Sequence, residues 1–389
     1  MKKKVLFVNP SLCQGGRERM LIQTLELLDP QLYDVTVFLF EKNNVLIDYI
    51  PDHINVVVKD INKHFYRNPK AIAYNSKKRI YTGLKNERKA KFYSEKLVDY
   101  IHDCKMEYPA KHIFKDANFD IVISYAEGKS SEIVSRFDAK RILFFHNSKD
   151  SHHALNLQLF PKYHQIIAVN DGVKEMLAEC YSEFSDKVSV IYNYIDASRI
   201  IAKSKDKTDN TKTKKNGLSI CTCGRISHEK GFELAVEAAD YLKKQDINFL
   251  WLFIGDGADR PKIERDIKEK ELEQYIEITG YKDNPYPYMA VADIYVQPSY
   301  EEAFGLTIKE AEILGKPVVS TRTVGGTALL ESGEKGVLTD FSGQDVAKGI
   351  LSLINNPDKR HSFENLYTLE DNEKEKQVYI EKMNQLLLH

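Results

Sequence analysis

Several features that would narrow the function of this chain at once are missing from it. No apolar run approaches the ~18 residues that a membrane-spanning helix needs, so any bilayer contact is expected to be peripheral. The start, MKKKVLFVNP, is basic, but its apolar stretch is too short for a signal-peptide core and reads as a first strand. The five cysteines (Cys13, Cys104, Cys180, Cys221 and Cys223) are odd in number, scattered and without zinc-finger spacing. That argues against a disulfide framework and suits reduced thiols in a cytoplasm. Cys221 and Cys223 alternate on an apolar strand and are expected in the core. Net charge is only −1, so the whole-chain balance names no partner, and no fixed-period repeat points to a solenoid.

What is present is a globular composition, 42% hydrophobic and 29% charged over 389 residues, enough for two cores rather than one. Short β-branched and aromatic runs alternate with helical stretches, the pattern of parallel strands joined by crossover helices. Strands are expected at 5–9, 35–40, 55–58, 120–125, 141–146, 165–169 and 188–192, and again at 218–223, 249–254, 276–279, 294–297, 317–321 and 337–339. Between the two sets lies AKSKDKTDNTKTKKNG, 202–217, too polar to pack a core and therefore a linker. The expected organisation is α/β, with two Rossmann-like doubly wound domains facing a cleft: 1–200, then the linker over 201–217, then 218–369. A closing helix over 370–389 carries apolar positions at Val378, Ile380, Met383 and Leu387, and it could return to the first domain.

The segment 299–317, SYEEAFGLTIKEAEILGKP, directly follows a strand, at the sheet edge where open α/β folds bind ligands. A helix is expected from about Phe304 to Gly315, so the N–H groups of Phe304, Gly305 and Leu306 offer an anion site. Glu302 in the loop and Glu310 in the helix can face one ligand, each able to accept two adjacent sugar hydroxyls. The plainer alternative is two acids favouring the positive end of a helix. In 223–231, CGRISHEKG, Arg225 and Lys230 place two cations on another strand-to-helix turn, which suits a diphosphate better than two unrelated surface charges. In the first half, Gly15 and Gly16, Glu127, and His146 all follow strands. The glycine pair allows close backbone approach or simply a tight turn. His146 is either a ligand contact or a satisfied core histidine, and Glu127 either a site residue or a capping acid.

On these residues the sequence resembles the retaining nucleotide-sugar glycosyltransferases of the family 4 type, in the form found in bacterial polysaccharide synthesis, with the GT-B fold. The family's E-x7-E signature matches Glu302 and Glu310, and its G-R-x-x-x-x-K-G signature matches Gly224, Arg225, Lys230 and Gly231. The resemblance implies that Arg225 and Lys230 bind the diphosphate, Glu310 the ribose and Glu302 the transferred sugar. It places backbone at Phe304, Gly305 and Leu306 in the donor pocket, with Gly15 and Gly16 opposite. Tyr281 and the 254–257 turn border the nucleobase, His146 contacts the donor sugar, and Glu127 faces acceptor or sugar. The implied donor is a nucleotide sugar, UDP-linked, and the acceptor a glycan or polyprenyl-linked glycan. Ala303 stands where the family has Gly, Tyr194 where it has Pro, and 324–331 lacks a Glu in the expected register. There is no Asp-x-Asp, so no cofactor and no metal are expected.

Two alternatives stay open. A nucleotide-sugar 2-epimerase on a similar fold would use the same diphosphate contacts without an acceptor. A basic nucleic-acid-binding protein would use the stretch 63–96, which carries Lys63, Arg67, Lys70, Lys77, Lys78, Arg79, Lys85, Arg88, Lys89, Lys91 and Lys96 against Glu87 and Glu95. No RNA-binding signature accompanies those charges, so nucleic acid is not the expected partner. Interleaved Phe65, Tyr66, Ile72, Tyr74, Ile80, Tyr81, Leu84, Phe92 and Tyr93 suit an anionic membrane surface, the plainer alternative being a solvated helical face. The expected location is cytoplasmic, peripheral at the inner face of the plasma membrane.

Overall fold

The computed structural model describes residues 1–389 apart from 14, 62–68, 208–216, 332, 334 and 365. The readings that fall on Lys63, Phe65, Tyr66 and Arg67, and on most of the linker lie outside the described residues. All thirteen expected strands form, their ends within one or two residues of the reading. The first seven are β1 (Lys3–Asn9), β2 (Tyr33–Leu39), β3 (Asn55–Val58), β4 (Ile121–Ser124), β5 (Lys140–Phe145), β6 (Gln165–Ala168) and β7 (Val188–Val190). They make one sheet in the order β3-β2-β1-β4-β5-β6-β7. The other six are β8 (Leu218–Cys223), β9 (Phe249–Ile254), β10 (Ile276–Gly280), β11 (Ile294–Gln297), β12 (Val318–Thr321) and β13 (Gly336–Thr339). They make a second sheet in the order β10-β9-β8-β11-β12-β13.

Every pairing between these strands is parallel, which requires helical crossovers and burial of both faces. Hence the near-continuous apolar runs: Val5, Leu6, Phe7 and Val8 of β1 are all fully buried. Each strand order reverses once, between β1 and β4 in the first sheet and between β8 and β11 in the second. The carboxyl ends at such reversals form crevices.

The chain passes between the sheets through 191–203. Asp196 caps the helix Ala197–Lys203, accepting from the N–H of Arg199 at 3.1 Å. That helix touches the helices Tyr286–Ala290 and Leu306–Ile313 of the second domain. One apolar core therefore runs from Ile195 and Ile200 into Tyr286, Phe304 and Ile308.

The last helix, Leu369–Leu388, opens on a capping box between Thr368 and Asp371 and packs against the first domain. Tyr379, Met383, Leu386 and Leu387 join its core, the Tyr33 hydroxyl donates to Asn384 at 2.7 Å, and Lys140 donates to the Leu386 carbonyl at 2.8 Å. The expected stripe is corrected at Val378, which is exposed. Helical rotation of ~100° per residue lets Tyr379 take the inward position, and its neighbour turns out. Asn372, buried on the same helix, uses all four of its hydrogen-bonding sites. It donates to the Ile195 carbonyl (2.6 Å) and Tyr367 hydroxyl (3.0 Å), and accepts from the Tyr194 hydroxyl and Ala197 N–H (both 3.1 Å). Tyr194 thus has a structural use where the family has proline. Asn372→Ala strands the buried Ile195 carbonyl and Ala197 N–H, at ~1–3 kcal/mol for each group. Denaturant unfolding should show a loss of that order, and an unchanged midpoint would contradict this accounting.

Candidate active site

Both strand reversals open onto the same space, a cavity of about 740 Å³ lined by both domains. From the second sheet, β8 ends at Cys223 and leads into Gly224 and Arg225, while β11 ends at Gln297 and leads into Glu302. The two turns converge because Gly231 has φ +62° and an added Cβ would lie 2.0 Å from the Pro298 carbonyl oxygen. That φ and that space are open only to glycine. The consequence is an ion pair between Lys230 and Glu302 at 2.5 Å, part-buried on both sides. The Glu302 carboxylate also accepts from Gln297 Nε2 (3.1 Å) and the Ser299 hydroxyl (3.2 Å). Arg225 is exposed beside them and also lines the cavity.

The helix expected from Phe304 opens at Leu306 instead, with Gly305 before it at φ +80°. A left-handed Gly305 turns the chain into the helix and leaves Phe304, Gly305, Leu306 and Thr307 on the cavity wall. Ala303, in place of the family's glycine, is absent from the positive-φ residues, so its backbone accepts a side chain. Behind this loop, Gly325 donates to the Glu302 carbonyl at 2.8 Å, and a Cβ there would sit 2.6 Å from Phe304 backbone. The stretch 324–331 therefore supports the loop by backbone contact. About one turn into the helix, Glu310 accepts from the Tyr286 hydroxyl at 3.0 Å. Burial pushes the Glu310 pKa up, against the pull of Arg19 and Tyr286. Tyr281 also lines the cavity, half-exposed.

The first domain supplies the opposite wall: Gly15, Gly16, Arg17, Arg19 and His146. A Cβ on Gly16 would lie 2.6 Å from the Leu306 side chain, so this glycine sets how closely the walls approach. His146 packs on Tyr125, ring centroids 4.9 Å apart. Burial, then Arg17, lowers its pKa to about 3, and its buried Nε2 has no partner among the described residues. Glu127 is the one site residue read from the sequence that the structure places elsewhere. It is not part of the cavity wall; its carboxylate accepts from the backbone N–H of His146 (2.5 Å) and Asn147 (3.0 Å). It holds the turn that carries His146.

Four contributors have no role assigned from the sequence. Gln297, buried at the end of β11, receives the Tyr295 (2.5 Å) and Thr307 (2.8 Å) hydroxyls and orients Glu302. Arg19 keeps its charge despite burial because Glu310 and Tyr286 face it across the cleft. Tyr286 bonds Glu310, and Asn170 donates to the Ala303 carbonyl at 2.5 Å while capping the helix Asp171–Cys180. Asn170 carried a local signal, a capping residue before a helix; Gln297 bonds its near neighbours in sequence, whereas Tyr286 and Arg19 take their roles from Glu310, farther along the chain.

Residues 203–366 match the family model for "Glycosyl transferases group 1". HepE of Anabaena, solved in complex with UDP, superposes on 100% of this chain and 98% of its own with a TM-score of 0.67, at 17% identity. Residues 203–366 thus resemble a group 1 glycosyltransferase domain, and the whole chain has the GT-B fold. A lipopolysaccharide core biosynthesis glycosyltransferase of Rhizobium meliloti is 26% identical over 245 residues, 63% of this chain and 68% of that protein. A Campylobacter jejuni N-acetylgalactosaminyltransferase, named for a diphospho-undecaprenol-linked substrate, is 27% identical over 209 residues, 53% of this chain and 55% of its own. Further curated relatives align over as little as 31% of their length.

The lowered pKa of His146 has a stability consequence. Its pKa is about 3 folded against ~6.5 unfolded. Between those values the unfolded chain binds more protons, so stability is lost as pH falls from ~6.5 toward 3, by at most ~1.4 kcal/mol per unit. Thermal melts at pH 7.5 and 4.5 should therefore drop less for His146→Gln than for the parent. Equal drops would contradict a buried neutral imidazole.

Proposed function

We propose that this glycosyltransferase moves a hexosyl or N-acetylhexosaminyl group from a UDP-sugar to a glycan or lipid-linked glycan, with retention of anomeric configuration, in the assembly of a surface polysaccharide. The observation that carries the reading is the Lys230–Glu302 pair, 72 residues apart in sequence and 2.5 Å apart in the cleft, beside Arg225 and a helix start. Cations and helix-start N–H groups stabilise a leaving diphosphate. When donor enters, Lys230 exchanges Glu302 for phosphate. Glu302, still held by Gln297 and Ser299, is then free to accept from hydroxyls of the transferred sugar. Glu310 accepts from the ribose, Tyr281 borders the base, and Gly15 and Gly16 let the first domain's backbone close on the diphosphate. His146, neutral and with an unsatisfied Nε2, bonds the donor sugar.

The relatives support the acceptor class: one is named for lipopolysaccharide core synthesis and one for a polyprenyl-diphosphate-linked substrate. HepE, bound to UDP, supports the donor. Positive charge at the diphosphate comes from side chains, so the reaction is assigned no metal. Incubating the protein with a panel of UDP- and GDP-sugars should give slow hydrolysis of a UDP-sugar, and NMR of transferred product should show the donor's anomeric configuration. Acceptor-free epimerisation would overturn the transferase reading. Each charged hydrogen bond is worth ~1.5–3 kcal/mol, so Arg225→Ala with Lys230→Ala should lower turnover by at least a hundredfold, while EDTA leaves the parent unchanged. Full dependence on added magnesium or manganese would contradict the metal-free step.

A further inference from the structure

Between β3 and β4 the chain builds a helical hairpin, Pro69–Gly83 and Glu87–Tyr108, that the donor chemistry does not use. Aromatic rings zip the two helices: Tyr81 stacks on Tyr93 with centroids 5.4 Å apart and Tyr74 meets Tyr100 edge-on at 5.9 Å. Lys77 lies over Tyr93 and Lys89 over Tyr81. The hairpin thus has its own small core and keeps its shape away from the sheet. At its tip, the first helix ends in a hydrogen-bonded turn, with Lys85 at φ 54° and Asn86 N–H donating to the Tyr81 carbonyl at 2.9 Å. Asn86 then caps the second helix.

The lower part of the second helix fixes where the tip points. His102 meets Glu132 at 2.5 Å and Arg136 meets Asp103 at 3.1 Å, so this helix runs parallel to Lys129–Val134. That short helix starts just past the carboxyl end of β4. Upstream of the residues level with Lys129, about 12 more extend past that edge, ~18 Å at ~1.5 Å per residue. The tip therefore stands beyond the sheet edge that forms the cleft, on the first domain's side.

The surface it shows there is apolar and cationic together. Leu84 is 68% exposed, Ile80 59% and Phe92 50%. Around them Lys78, Arg79, Lys85, Arg88 and Lys91 make no ion pair among the described residues. A polyanion such as nucleic acid would use the cations and stack bases on Phe92, but it leaves the aliphatic Leu84 and Ile80 in water. An anionic bilayer uses both, cations on the headgroups and apolar side chains at the acyl boundary.

We propose that this hairpin docks the chain on an anionic lipid surface, Leu84, Ile80 and Phe92 entering the interface and the flanking Lys and Arg meeting phosphates. Resting on the function proposed above, docking brings the mouth of the cleft to a lipid-linked acceptor at the inner leaflet. Docking itself is read without activity. The single tryptophan, Trp251, is fully buried in the second domain, so Leu84→Trp adds a reporter at the tip. With phosphatidylglycerol-containing vesicles at low salt, the full chain should sediment and the new tryptophan should shift to the blue. High salt, or Lys78, Arg79, Lys85 and Arg88 all changed to Glu, should weaken partitioning at least tenfold while acceptor-free UDP-sugar hydrolysis stays at the parent level. Equal binding to neutral phosphatidylcholine vesicles, no shift of the Leu84→Trp emission, or binding to oligonucleotides in preference to vesicles would overturn the proposal. Hydrolysis absent from both proteins would count against the donor reading alone.

Discussion

The site depends on holding a lysine and a glutamate of opposite charge at 2.5 Å in a part-buried cleft until a ligand separates them. Neither side chain could stay there alone without a desolvation penalty. Paired, and with Gln297 and Ser299 sharing the carboxylate, they form a preorganised site; in the function proposed above, an incoming phosphate replaces one anion with another. The surrounding backbone serves that arrangement. Gly231 brings the two turns together, Gly305 aims a helix start at the same point, and Gly325 packs beneath the loop that carries Glu302.

The first domain acts on this pair by proximity. Gly16 against Leu306 and Gly172 against Val324 leave no room for side chains between the walls. Asn170 ties its helix cap to the Ala303 carbonyl, Lys149 pairs with Glu301 across the cleft, and Arg19 faces Glu310. The last helix fastens the connection from behind, through Asn372 at 194–197 and through Lys309, which pairs with Glu375 at 2.9 Å. Because Lys309 lies one residue before Glu310, the packing of the chain's end reaches the donor helix itself.

Much of this was legible locally. Apolar runs bounded by turns gave every strand, since parallel sheets buried on both faces leave that signature. The spacing of Glu302 and Glu310, and of Arg225 and Lys230, placed these residues at strand ends that do converge on one cavity. Part of what escaped depends on partners distant in sequence. Glu127 looks like a ligand beside a glycine but spends its carboxylate on the amides of His146 and Asn147. Arg19 reads as one more basic residue until Glu310 stands opposite. In the closing helix Met383 and Leu387 are buried as the apolar spacing implies, and only at Val378 does Tyr379 take the inward position.

The central claim is that Glu310, half-buried in the cleft wall, grips the nucleoside of the donor. Isothermal titration of UDP into the parent chain and into Glu310→Ala tests it most directly. The account predicts that UDP affinity falls by a factor of ten or more, for the loss of ~1.5–3 kcal/mol, with the melting curve of the unliganded protein retained. Parent and variant binding UDP equally well would contradict it.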